Sequence, residues 1–192
     1  MNYNKQLLQI NQRLKKTLSK ERYQHSIRVM KKAIEYAKIY DIEEEKAKIT
    51  ALAHDMAREM SKEDSRKYIC DNNLPKYLLE EINFPLIHGA IAADICKKEY
   101  QFTDDMINAI FYHTTGRKNM SNLEKIIYLA DKNEEARNYL GLEEQRKLAT
   151  QSLDKAMIAA LIGSIKHCQK NYSDININSL EALRHLQQKN QS

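Results

Sequence analysis

Six residues of this 192-residue chain carry groups from which a metal centre is built: His25, His54, Asp55, His88, His113 and Asp131. Imidazole nitrogens and carboxylate oxygens together form a borderline-hard donor set, suited to iron, manganese, zinc, cobalt or nickel better than to calcium. Any one of these histidines, met alone in a helix, reads first as an ordinary hydrogen-bonded residue. Their order and setting say more. His54 and Asp55 adjoin at the end of the apolar stretch Ile49-Thr-Ala-Leu-Ala-His-Asp55, and Asp131 closes another, Ile126-Ile-Tyr-Leu-Ala-Asp131. Neighbours in a regular helix point about 100° apart. His54 and Asp55 therefore flank one ion only at a helix end, where the chain relaxes, with His25 and Asp131 supplied by other helices.

The elements that must position these groups read as helices. Leu7, Ile10, Leu14 and Leu18 recur at three- and four-residue spacing, the mark of an amphipathic helix. Ser19 caps a second, whose core face is expected at Tyr23, Ile27, Met30, Ile34, Ala37 and Ile39, with His25 in its first turns. Asp41 with Glu44 resembles a capping box opening a helix through Ala47, Ala51 and Leu52. Ser61 with Asp64 opens another, which Asn73-Leu-Pro75 breaks, and Pro85 sits at a tolerated early position in the helix bearing His88. Thr103-Asp-Asp105 begins a helix that carries His113 at its far end, before Gly116 caps it. Ser121 and Glu124 form a further capping box, and that helix is expected to run past Asp131 into Glu134, Glu135 and Arg137. Leu142 to Lys170 reads as one long scaffold helix, Asn171 to Asn176 as a polar turn, and Ser179 to Lys189 as a last short helix.

Composition supports an all-α protein. Four glycines, two prolines and no tryptophan argue against strands and turns. The length suits one domain over 1–192, with its core motifs in 23–137, and a core that needs no structural metal or disulfide. Cys70, Cys96 and Cys168 have no paired spacing and read as reduced core thiols of a cytoplasmic protein. No membrane span or signal segment is expected. The formal charge of +5 is interspersed, apart from short runs such as Arg28-Val-Met-Lys-Lys32 that read as solvated helix faces. It suits a small anionic substrate and gives no reason to expect a nucleic-acid partner. A homodimer is left open.

The order His25, then His54-Asp55, then Asp131 resembles the HD-domain metal phosphohydrolase superfamily, over about Tyr23 to Asp131. Four segments narrow the resemblance: His54-Asp-Met-Ala-Arg58, His88-Gly-Ala, His113-Thr-Thr-Gly-Arg-Lys118 and Ala130-Asp-Lys-Asn-Glu-Glu-Ala-Arg137. They are similar to the YqeK-type symmetrical bis(5'-nucleosyl)-tetraphosphatases. That resemblance implies a single-domain HD-type helical bundle that hydrolyses a dinucleoside polyphosphate, diadenosine tetraphosphate, to two ADP. It also implies a divalent metal held at His25, His54, Asp55 and Asp131, iron first, with manganese, cobalt, nickel and zinc as alternatives. His88 and His113 match further histidines that bind a second ion or face the phosphates, while Thr114 departs from branches that carry another histidine there. One ion or two are both open. A bound ion would activate water, with Asp55, His54, His88 and His113 as the catalytic set and Asp55 as the bridge between two ions. Phosphoryl transfer leaves the protein mostly positioning and electrostatics to supply, so Arg58, Arg137, Arg117 and Lys118 are candidates to grip phosphate. An HD-type nucleotidase or phosphodiesterase, and a catalytically silent nucleotide-binding module, are the alternatives.

Overall fold

The computed structural model describes residues 2–79, 86–171 and 175–190. Ten α-helices follow in order: α1 (Tyr3–Thr17), α2 (Lys20–Ile39), α3 (Glu44–Ala53), α4 (Lys62–Asp71), α5 (Ile87–Tyr100), α6 (Asp104–Phe111), α7 (Asn122–Asn133), α8 (Leu142–Gln151), α9 (Leu153–Asn171) and α10 (Ile177–Lys189). A 3-10 turn, Lys76–Leu79, links α4 toward α5, and the described residues contain no strand. None of the helices is long and apolar enough to cross a membrane. Pro85 and residues 172–174 of the polar turn lie outside the described residues.

Side-chain caps fix several helix starts. Ser19 accepts the Arg22 amide, Ser61 accepts that of Asp64, and Ser121 with Glu124 closes a reciprocal capping box. Each such cap is worth about 1 kcal/mol. The box expected at Asp41 does not form. Asp41 has φ 52 and Ile42 donates to Ala37 O at 2.9 Å, so Asp41 closes the end of α2 in a left-handed Schellman turn. α3 then starts from Glu43 without a side-chain bond. Leu142 to Lys170 is likewise two helices: Ser152 is extended at φ −159, and its hydroxyl accepts the Lys155 amide to open α9. α7 stops at Asn133 rather than running on to Arg137, for reasons that belong to the site.

One core runs from Ile10 on α1 to Leu186 on α10. α2 packs against α3 and α7, α5 against α6, α6 against α7, and α9 against α7, α8 and α10. The buried face of α2 differs from the expected one. It comprises His25, Ser26, Val29, Ala33, Tyr36 and Ala37, while Tyr23, Ile27 and Met30 pack at the edges, Ile34 is half-buried and Ile39 is exposed. Small and polar side chains let α2 lie close to α3 and α7, and the larger apolar ones flank that contact. This rotation turns His25 inward. Cys96 is a core thiol, but Cys70 is exposed and Cys168 half-buried.

Candidate metal centre

His54 is the first residue beyond α3, and the chain there overwinds: Met56 donates to Ala53 O and Arg58 to Asp55 O, each three residues back. The overwound turn is what brings adjacent side chains to bear on one point. His54 also fills a need of the helix end, where carbonyls lack intrahelical donors. Its Nδ1 lies 2.6 Å from Ala51 O. His113, just past α6, repeats the device, with Nδ1 2.6 Å from Ile110 O. A carbonyl only accepts, so both rings carry their proton on Nδ1 and present a bare Nε2.

His25 reaches the same state by a different route. Its Nδ1 lies 3.2 Å from Glu134 Oε1, which again fixes the proton on Nδ1. The bare Nε2 then stands 3.1 Å from Asp131 Oδ1 and 3.6 Å from Asp55 Oδ2. His54 Nε2 is 3.5 Å from Asp55 Oδ2 and 4.0 Å from Asp131 Oδ1. Among the described residues, neither His25 Nε2 nor His54 Nε2 has a hydrogen-bond donor, and both are buried. Buried acceptors that face one another repel unless a cation joins them. Ligands about 2.0–2.2 Å from a common ion stand roughly 3–3.6 Å apart, so the donor set fits a divalent metal. His25, His54 and Asp131 form one candidate triad, and His54, Asp55 and His113 a second.

Asp55 joins the two. Its Oδ2 faces His25 and His54, and Oδ1 lies 3.0 Å from His88 Nε2 and 3.7 Å from His113 Nε2. His88 differs from the other three histidines. Arg58 Nη1 is 3.3 Å from its Nδ1, and a guanidinium only donates. The proton of His88 is therefore on Nε2, directed at Asp55 Oδ1 and at His113 Nε2, 3.0 Å away. The sequence suggests a ligand at His88; it lies outside both candidate triads, with its Nε2 3.0 Å from Asp55 Oδ1 and from His113 Nε2. Gly89 beside it is a matter of space. A Cβ there would meet Phe111 O at 3.0 Å and Ile110 O at 3.1 Å, so a larger residue would have to push α5 away from the His113 turn by a few tenths of an ångström.

The charges are set for a cation. Burial pushes His54 down to about 4 and lowers His88 as well, so both rings are neutral at physiological pH. Burial opposes ionisation of Asp55, but its imidazole surroundings, His88 Nε2 donating to Oδ1 among them, outweigh it and hold the carboxyl well below its usual range. Asp131 is likewise kept ionised against its burial, with the cations Lys132 and Arg137 beside it.

A pocket of about 320 Å³ opens over His25, lined among others by Arg22, Arg28, Glu134 and Arg137. Arg22 Nη1 is 3.0 Å from Asp55 Oδ2, Arg28 Nε is 2.6 Å from Glu134 Oε2, and Arg137 Nη2 is 2.6 Å from Asp131 Oδ1. Of the four cations expected at the phosphates, Arg137 lines this pocket and Arg58 touches His88. Arg117 does not join them. It gives Nε and Nη2 to the buried Glu124 at 2.6 and 2.8 Å and lines a separate pocket with Lys125 and His185, while the neighbouring Lys118 is exposed. Sequence reasoning missed Arg22, Arg28 and Glu134. The first two were legible in Arg22-x-x-His25-x-x-Arg28, a three-residue spacing that sets both arginines on the histidine's side of α2.

An all-helical bundle with this buried histidine and aspartate cluster defines a class, and residues 22–136 match the HD domain. The chain belongs to the HD-domain family. It is 38% identical over 149 residues to the symmetrical bis(5'-nucleosyl)-tetraphosphatase of Bacillus subtilis, covering 77% of this chain and 80% of that one. The enzyme of the same name from Halalkalibacterium halodurans is 37% identical over 179 residues, 91% of this chain and 94% of its own. A Clostridium acetobutylicum crystal structure, of a predicted HD superfamily hydrolase involved in NAD metabolism, superposes with a TM-score of 0.87. It is 36% identical, over 94% of this chain and 96% of that one.

Proposed function

We propose that this protein is a metal-dependent hydrolase that splits diadenosine tetraphosphate symmetrically into two ADP. One observation carries the chemistry: three imidazole lone pairs and two ionised carboxylates converge, buried, beneath an arginine-lined pocket. The substrate class rests on the similarity to the tetraphosphatases of two bacilli, which covers most of each chain.

His25, His54, Asp55 and Asp131 would hold the first ion, with iron the leading candidate among metals suited to mixed nitrogen and oxygen donors. His113 and the second oxygen of Asp55 would hold another. When bound, such an ion supplies a nucleophile from water at neutral pH and neutralises charge on the phosphoryl group. The protein's own share is placement. Arg22, Arg28 and Arg137 line the pocket with guanidinium groups, whose paired donors match phosphate oxygens. Asp55 sets the line between the two sides of the centre, and His88, 3.0 Å from its Oδ1, holds that carboxylate in place.

Product analysis tests the reading. Purified protein supplied with ferrous iron or manganese should release two ADP per diadenosine tetraphosphate. AMP with ATP as products, or a preference for deoxynucleoside monophosphates, would contradict it.

A further inference from the structure

Glu134 stands immediately beyond α7, where local helix propensity would carry the helix onward. Its backbone leaves the helix at φ −58 and ψ 157, and its carbonyl is taken by Arg146 Nη2 at 2.9 Å. That turn drives the carboxylate back under the pocket, where it is 2% exposed. Both oxygens are used. Oε1 accepts from His25 Nδ1 at 3.2 Å, while Oε2 accepts from Arg28 Nε at 2.6 Å and from the Ala136 amide at 2.7 Å. Arg137 Nε lies 3.7 Å from Oε1.

This pattern demands a carboxylate. A ligand imidazole is held in tautomer and orientation by the acceptor on its other nitrogen, which also raises its basicity toward an ion. Arg28 separately needs an acceptor to keep its planar donors over the pocket. A carboxylate offers an oxygen to each. An amide of the same shape has one oxygen and must turn its NH₂ toward either His25 or Arg28, both of which are donors.

We propose that Glu134 is the positioning residue of the centre: it aims His25 Nε2 at the ion and holds Arg28 for the nucleotide's phosphates. One buried side chain thereby sets affinity for ion and for nucleotide together. The proposal rests on the metal-dependent reading above, and two binding titrations separate the two ideas. Manganese is titrated calorimetrically into the chelator-stripped full chain, and ADP into the manganese-saturated protein.

Glu134→Ala should weaken manganese binding about 10- to 100-fold, the usual cost of losing such a partner, and weaken ADP binding as well. Arg28→Gln should weaken ADP binding alone and leave manganese affinity within about twofold, because no ligand loses its support. Glu134→Gln, which preserves shape and guards against misfolding of the alanine variant, should lose affinity for manganese, ADP or both. Wild-type affinities for both in Glu134→Gln would overturn the proposal. So would an Arg28→Gln variant that binds manganese as poorly as Glu134→Ala. A wild-type protein that takes up no manganese would overturn the metal reading itself, and this proposal with it.

Discussion

The two oxygens of Asp55 face surroundings built by different means. On the Oδ2 side, His25 is aimed by a carboxylate from a distant turn, and Arg22, Arg28 and Arg137 line an open pocket. On the Oδ1 side, His113 is aimed by a carbonyl of its own helix and walled in by α5 at Gly89. His54 belongs to both sides and, like His113, is held by its own helix. The outer side thus depends on charged groups far apart in sequence, and the inner side on backbone and packing. Damage to one should spare the other.

Removing ligands gives the largest contrast. His25→Ala takes a donor from the first triad and should cost both tight ion binding and turnover, on the scale of about a hundred- to a thousandfold for a lost catalytic contact. His113→Ala should keep one tightly held ion and lose only about 10- to 100-fold in turnover. Metal analysis after dialysis, with kcat/KM, distinguishes them; equal loss of metal in both variants would mean the sides are one unit.

Acid should strike the helix-held histidines next. His54 is lowered by burial from 6.5 to about 4, so between those values the unfolded chain binds a proton that the native one refuses. Stability of the chelator-treated protein should therefore fall as pH drops through that window, by roughly 3 kcal/mol from this ring. His88, also lowered, acts in the same direction, and the depressed Asp55 and Asp131 extend the loss to lower pH. A melting temperature that stays flat from pH 6.5 to 4 would contradict this.

The smallest effect probes the inner wall. Gly89→Ala sets a methyl 3.0 Å from Phe111 O and 3.4 Å from His113 Cε1. Overpacking of this kind costs about 1–3 kcal/mol, so the melting temperature should drop by several degrees while the His25 side keeps its ion. Loss of the ion on the His25 side in this variant would show the two sides to be mechanically joined.

The same contrast explains what the sequence disclosed. The inner side was legible because its groups sit at helix ends marked by apolar runs and local caps: the end of α3 at His54-Asp55 and Gly116 after His113. On the outer side His25, Asp131 and Arg137 were legible too, but the groups that support them were not. Glu134 leaves the helix because Arg28, Arg146 and the Ala136 amide receive it, and those partners lie outside any helical window. Arg28 stood in a basic run that resembles a solvated face, since nothing local reveals the buried carboxylate beside it. The inward face of α2 was placed correctly at Ala37 but not elsewhere, because Ser26 and Ala33 owe their burial to close packing, not to hydrophobic bulk. Arg117 stands apart from the pocket over His25 for the converse reason, its partner Glu124 being only seven residues away yet buried by the fold.

Everything proposed for the centre passes through Asp55, whose oxygens meet both sides. Metal content and diadenosine tetraphosphate turnover, measured together in wild type and in a folded Asp55→Ala variant, therefore test the account most directly. Wild type should retain its ion through dialysis and release two ADP, and the variant should lose the ion and at least about a thousandfold in turnover. An Asp55→Ala protein that keeps its metal and hydrolyses the substrate at the wild-type rate would contradict it.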